Sequence, residues 1–195
     1  MPRRSVFITW LAARWVVAAG FMAGALISLV PLLHAAFALP LLLIFLHSPG
    51  YMIHQVEEHT GDRFRRFTNS VMFHGREGLS VLNVLVINVG LVWGINLAAL
   101  YAAAFWGPGY GLIAPYAMLV NGVIHVAAAV RLRRYNPGLV TAVVLFLPLS
   151  LATLMVIGRL PETTLAQHAA GLGGALLLHA LIVVSVLLRL RRLPG

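Results

Sequence analysis

The chain has 195 residues, 61% of them apolar and only 10% charged, with no cysteine and a net charge of +9. Ordinary soluble domains carry roughly 25% charged residues, and one soluble core of this length cannot enclose so much apolar surface; the missing cysteine excludes disulfides, thiolate metal sites and cysteine nucleophiles. All 14 basic residues are arginines set in short clusters beside apolar runs, the pattern of membrane-topology signals and not of a nucleic-acid interface, so no nucleic-acid partner is expected.

About 20 mostly apolar residues are needed to cross a bilayer. The first such run covers about residues 11–32, after Arg3 and Arg4. Ala36-Phe37-Ala38 has the small-residue form of a cleavage site. Arg14 interrupts the run, however, and the distance from the basic start is too great for a signal peptide, so a retained span is expected. The second run, about 37–57, passes without a break into His54-Gln55-Val56-Glu57-Glu58-His59. The connection from Thr60 to Gly78 interleaves Phe64, Phe67, Val71, Met72 and Phe73 with arginines, which predicts an amphipathic helix in the membrane interface. Four further spans are predicted at about 79–105, 111–130, 138–157 and 167–188. Pro31, Pro40, Pro49, Pro115 and Pro148, in or beside these spans, predict kinks compensated by neighbouring helices.

Arginine placement orients the chain. Arg3 and Arg4, the group Arg63, Arg65, Arg66 and Arg76, the group Arg131, Arg133 and Arg134, and the group Arg189, Arg191 and Arg192 fall on alternate connections, with Arg159 alone on the other side. The sequence thus predicts an all-α integral membrane bundle of about six transmembrane helices in a single domain, in the cell membrane, with both termini cytoplasmic.

Five acidic residues are present, and two are adjacent. On a helix His54, Glu57 and Glu58 share a face, because spacings of three and four residues stack. Ionisable groups within a bilayer are costly and usually face the bundle interior with a function. Two neighbouring carboxylates in a low-dielectric site repel unless a cation neutralises them, and imidazole with carboxylate suits zinc, iron or manganese better than calcium or magnesium. A further ligand must come from another helix. His125 is the candidate: it lies about six residues before the Arg131 cluster, at the depth of His54, with Asn121 on the same face to orient a ligand or a substrate. His59 is expected to point away from His54 and lie at the interface. His74 and Glu77 form a second histidine-plus-three pair, for which an interfacial salt bridge is the expected role. His47 and His179 are expected to be interhelical hydrogen-bonding residues, and His34 and His168 lie on the far side. Tyr135-Asn136-Pro137-Gly138 reads as a turn in which Asn136 caps and Pro137 opens the next helix, holding Tyr135 beside the site.

His54-Gln55-Val56-Glu57-Glu58 resembles the signature of the HXXEE family of small multi-span bacterial membrane proteins. Asn121-Gly122-Val123-Ile124-His125, with Arg134-Tyr135-Asn136-Pro137-Gly138-Leu139-Val140-Thr141, is similar to that family's second block, and Asn83 sits where the family often has asparagine. The resemblance spans about residues 40–150 and implies the fold and a site, without an activity.

The expected function is a membrane-embedded, metal-dependent enzyme acting on a lipid or other apolar substrate, of hydrolase or oxygenase type. His54, Glu58 and His125 are its expected ligands, and Glu57 is a fourth ligand or general base. A metal-free acid–base isomerase or cyclase of an isoprenoid and a proton-coupled transporter are the alternatives.

Overall fold

A computed structural model describes residues 3–193, and among them every regular element is helical. The first apolar run forms α1 (Arg3–Ser28). The chain breaks at Leu29 and continues as the short α2 (Val30–Ala36), with Pro31 in its opening turn, where a missing N–H is harmless. The second run forms α3 (Leu39–His59), which opens at Pro40 and carries Pro49 in its interior.

The connection after α3 is helical only in part. Gly61 and Asp62 take left-handed backbone angles that turn the chain off the α3 axis. α4 (Arg63–Phe67) then widens into a π turn at Thr68–Met72, and residues 73–80 are irregular. The expected single amphipathic helix is therefore a short kinked one. Its phenylalanines Phe64 and Phe67 turn inward, over the end of α3, because an apolar cavity lies there.

α5 (Val81–Leu85) passes through a π segment (Val86–Val92) into α6 (Trp93–Trp106). A 3-10 turn at Pro108–Gly111 leads to α7 (Ile113–Leu132). α8 (Leu139–Thr141) runs through a second π segment (Ala142–Phe146) into α9 (Leu147–Gly158), and α10 (Leu165–Arg192) follows. The second π segment immediately precedes Pro148, whose missing N–H breaks the regular ladder and leaves the carbonyls before it to be accommodated by a wider turn.

Five stretches are long and apolar enough to cross a membrane: Val6–Ser28, Val81–Trp106, Pro108–Leu132, Leu139–Gly158 and Leu165–Arg192. They match five of the six predicted spans. The remaining prediction, about 37–57, is α3. It is long enough at 21 residues, but His47, Tyr51, His54 and Gln55 lower its apolarity. All four are buried, because α3 is the inner helix: α1, α6, α7 and α9 all pack on it. α1 is an integral part of this arrangement, with Ala19 and Ala23 against Met52 of α3. Tyr51, Met118 and Phe146 join α3, α7 and the π segment before α9 into one core layer.

Candidate metal centre

His54 and Glu58 lie one helical turn apart on α3, so their side chains leave the same face. His125 reaches them from α7. His54, Glu58 and His125 are all buried, and each offers a ligand atom within 4.8 Å of the other two. His125 Nε2 is 3.4 Å from Glu58 Oε1, and His54 Nε2 is 3.6 Å from Glu58 Oε2. The two imidazoles meet edge to face, with ring centroids 4.9 Å apart, and His54 also lies against Phe146 at 4.2 Å.

The outer nitrogens of both rings are engaged. Asn136 donates its amide N–H to the carbonyl of His125 at 2.9 Å, so its Oδ1 faces His125 Nδ1 at 2.7 Å and accepts from it. Thr141 Oγ1 donates to Glu57 Oε2 at 2.5 Å, so it accepts from His54 Nδ1–H at 2.7 Å. With the proton on Nδ1 in each ring, both Nε2 atoms present bare lone pairs. In the neutral rings these lone pairs face the Glu58 carboxylate, which His59 Nε2 also approaches, at 2.9 Å. His54 Nε2 is buried without a hydrogen-bond partner. A cation at the centre resolves this arrangement. Ligand atoms about 2.1 Å from a tetrahedral ion lie roughly 3.4 Å from one another; each histidine reaches one Glu58 oxygen at about that spacing, and one ligand atom from each of the three residues falls within 4.8 Å of the others.

Gly138 is wedged between the rings. It has φ of +96°, and a Cβ there would stand 2.7 Å from Cε1 of both His54 and His125. The turn predicted at Asn136-Pro137-Gly138 is thus present, but Asn136 does not cap the next helix and Pro137 does not open it: α8 begins at Leu139 after Gly138, and the Asn136 side chain is spent on His125 instead.

Glu57 does not join the converging group. Its Oε1 accepts from the Tyr135 hydroxyl at 2.8 Å and the Val140 N–H at 3.1 Å, and its Oε2 from the Thr141 N–H at 2.7 Å as well as the Thr141 hydroxyl. It fastens α3 to the α7–α8 connection and acts on His54 only through Thr141. Partial burial, then the bond to Glu57, hold the Tyr135 phenol above its ordinary pKa, so it stays a donor.

His59 is not interfacial as expected. It is buried between Trp15 and Phe64, at ring centroid distances of 5.0 and 5.6 Å, and its Nε2 is 2.9 Å from Glu58 Oε2. That contact is close without hydrogen-bond alignment, and both ring nitrogens of His59 lack a hydrogen-bond partner. Asn83 is not at the site. It forms a capping box with Ser80 at the start of α5, donating its backbone N–H to Ser80 Oγ at 3.2 Å. His74 is exposed, and Glu77 pairs with Arg65 at 3.0 Å, so they form no second metal pair. His47 and His179 are not the interhelical hydrogen-bonding residues expected: each bonds the carbonyl one turn earlier on its own helix, Leu43 and Ala175. His168 meets Tyr116 at 2.9 Å, and His34 is exposed.

The centre opens into a cavity of about 450 Å³. Tyr51, Phe64, Phe67, Val84, Ile124 and Ile182 supply much of its apolar wall, and Asn88, Asn121 and His179 are polar points within it. Asn121 presents a buried Oδ1 with no partner. Behind this wall Trp93 donates to Gln55 Oε1 at 2.9 Å, and Gln55 donates to Asn88 Oδ1 at 3.1 Å.

An all-α membrane protein with a buried two-histidine, one-carboxylate cluster at the head of an apolar cavity is the class that fold and site define. The family described as "Protein of unknown function with HXXEE motif" matches residues 45–153, and the chain belongs to that family. His54, Glu57 and Glu58 are the histidine and paired glutamates of its motif, and His125 and Thr141 fall within the matched region. Neither a curated protein nor a solved structure matches the chain.

Proposed function

We propose that the protein is a metal-dependent membrane enzyme whose single divalent ion, zinc, iron or manganese, is held by His54, Glu58 and His125, and whose apolar or lipid substrate enters the adjoining cavity. The observation that carries this reading is that Nε2 of both His54 and His125 faces the Glu58 carboxylate while Nδ1 of each is engaged by Thr141 or Asn136. Two histidines and one carboxylate leave coordination positions free, the donor set of zinc hydrolases and non-haem iron oxygenases alike. Thr141 and Asn136 fix the tautomer and raise the basicity of each ligand. Asn121 and Asn88 orient a polar group of the substrate, and the apolar wall excludes water from it.

Elemental analysis of the purified protein tests the reading. Close to one ion per chain is expected, lost in His54→Ala, Glu58→Ala and His125→Ala. Chelation should remove the ion and lower the melting temperature, because binding to the native state adds to folding stability. The 2.9 Å approach of His59 to Glu58 favours a second reading, an acid–base pair acting on an isoprenoid without metal. His59→Ala separates the two: it keeps the ion under the first reading and abolishes turnover under the second. Wild-type protein without metal after gentle purification, indifferent to chelator, would sink the first.

A further inference from the structure

A second, open cleft of about 700 Å³ is lined by Arg65, Arg66, Asn69, Ser70, Glu77 and Arg134, and by Phe67. Phe67 also lines the apolar cavity that leads to His54, Glu58 and His125. Phe67 therefore belongs to both the apolar cavity and the open, arginine-bearing cleft.

The charges in the cleft are not equivalent. Arg65 is neutralised, with Asp62 accepting from its Nε and Nη2 at 2.9 and 2.6 Å and Glu77 from its Nη1 at 3.0 Å. This also occupies Glu77, the one carboxylate lining the cleft. Arg66 donates to the Gly61 carbonyl at 2.5 Å and has no carboxylate partner among the described residues. Arg134 lies 5.3 Å over the Phe67 ring, likewise without a carboxylate. Two arginines that line the cleft are thus without a carboxylate partner among the described residues, in a chain with only five acidic residues. Guanidinium is the side chain that takes phosphate oxygens in bidentate fashion. A ring held under Arg134 keeps one such fork in place.

We infer that the two chambers bind one molecule, an amphiphile with a phosphate head: the head lies against Arg66 and Arg134, the chain passes Phe67, and the tail fills the cavity beside the metal centre. The inference rests on the metal reading only for what happens at the end of the tail. The head is recognised by charge and the tail by shape, so the reacting carbon atoms lie along the chain, remote from the phosphate.

The test uses the purified full chain in a neutral maltoside detergent and follows melting temperature against three probes: dodecyl phosphate, dodecanol and inorganic phosphate. Saturable stabilisation by dodecyl phosphate is expected, with a weaker response to dodecanol and none to inorganic phosphate at matched concentration. R66Q/R134Q should weaken dodecyl phosphate about tenfold or more, the worth of a lost charge-assisted contact, and leave dodecanol unchanged, while R66K/R134K should restore part of the loss. Ile182→Trp, which fills the cavity, should weaken dodecyl phosphate and dodecanol together. Equal responses to dodecyl phosphate and dodecanol in the wild type overturn the inference, as does an R66Q/R134Q response equal to wild type. Undiminished dodecyl phosphate binding in Ile182→Trp reduces the effect to adsorption at the surface and also overturns it. Metal content read on the same samples keeps the two proposals apart: head-dependent binding to a metal-free wild type leaves this inference standing and removes the metal reading, and a metal-bearing protein without head-dependent binding does the reverse.

Discussion

Replacing Gly138 by alanine puts a methyl group between the two histidine ligands. The backbone there has φ of +96°, and residues with a Cβ pay about 1–3 kcal/mol of stability to hold such a conformation. The added carbon would also stand 2.7 Å from Cε1 of His54 and of His125, and 3.1 Å from His54 Nε2. Carbon atoms at rest lie about 3.5–4.0 Å apart, so ring and loop must separate by roughly 0.8 Å, well beyond the ~0.2 Å tolerance of a metal–ligand distance. Gly107 supplies the control. Its φ of +111° imposes the same kind of strain, but a Cβ there meets nothing within 4 Å. Both G138A and G107A should melt earlier than wild type, and only G138A should lose metal affinity, by about 10–100-fold, the scale of a disturbed ligand support. Competition for zinc against a chromophoric chelator, in detergent, measures this directly. Wild-type zinc affinity in G138A, with a melting shift no larger than that of G107A, would refute the geometry proposed for the centre.

Thr141→Val removes the acceptor that fixes the His54 ring, and about 10–100-fold weaker metal binding is expected in the same titration, with Thr141→Ser close to wild type. Glu57→Gln should keep the ion, because Glu57 is not among the converging ligands. Its amide cannot accept from all four donors at once, so thermal unfolding should show a loss of about 1–3 kcal/mol; loss of the ion from E57Q would restore Glu57 to the ligand set. Reporter fusions at either terminus and in the Thr60–Gly78 connection should all mark the cytoplasm, and one between Arg159 and Thr164 the opposite side; an exported N-terminus would overturn the orientation drawn from arginine placement.

Spacing alone carried the centre a long way. Four residues on one helix bring His54 and Glu58 together, and the distance of His125 from its arginine cluster sets its depth. The partition between Glu57 and Glu58 could not be seen, because one residue along a helix is a rotation of about 100°. What Glu57 meets is the aperiodic stretch Tyr135–Thr141, whose path no periodicity predicts. Thr141 stood in the resemblance block without a role, since a hydroxyl gains one only from its neighbours. An ideal helix points His59 away from His54, toward the interface, yet Trp15 of α1 and Phe64 of α4 cover that face. Asn83 illustrates the reverse error: an asparagine three residues after a serine is as good a capping signal as a site residue.

The inner position of α3 has a consequence for biogenesis. This helix carries His47, His54, Gln55, Glu58 and His59 on surfaces that the folded protein encloses. Alone in lipid, a strongly polar side chain at mid-helix costs about 2.5–3.5 kcal/mol on insertion scales. Its partners Asn88, Trp93, His125 and Thr141 all follow it in the chain, so the polar face of α3 gains them only after the later helices are made. The centre cannot close before the carboxyl half of the chain is in the bilayer. A bound ion would therefore mark a molecule in which α3, α7 and the turn before α8 have come together.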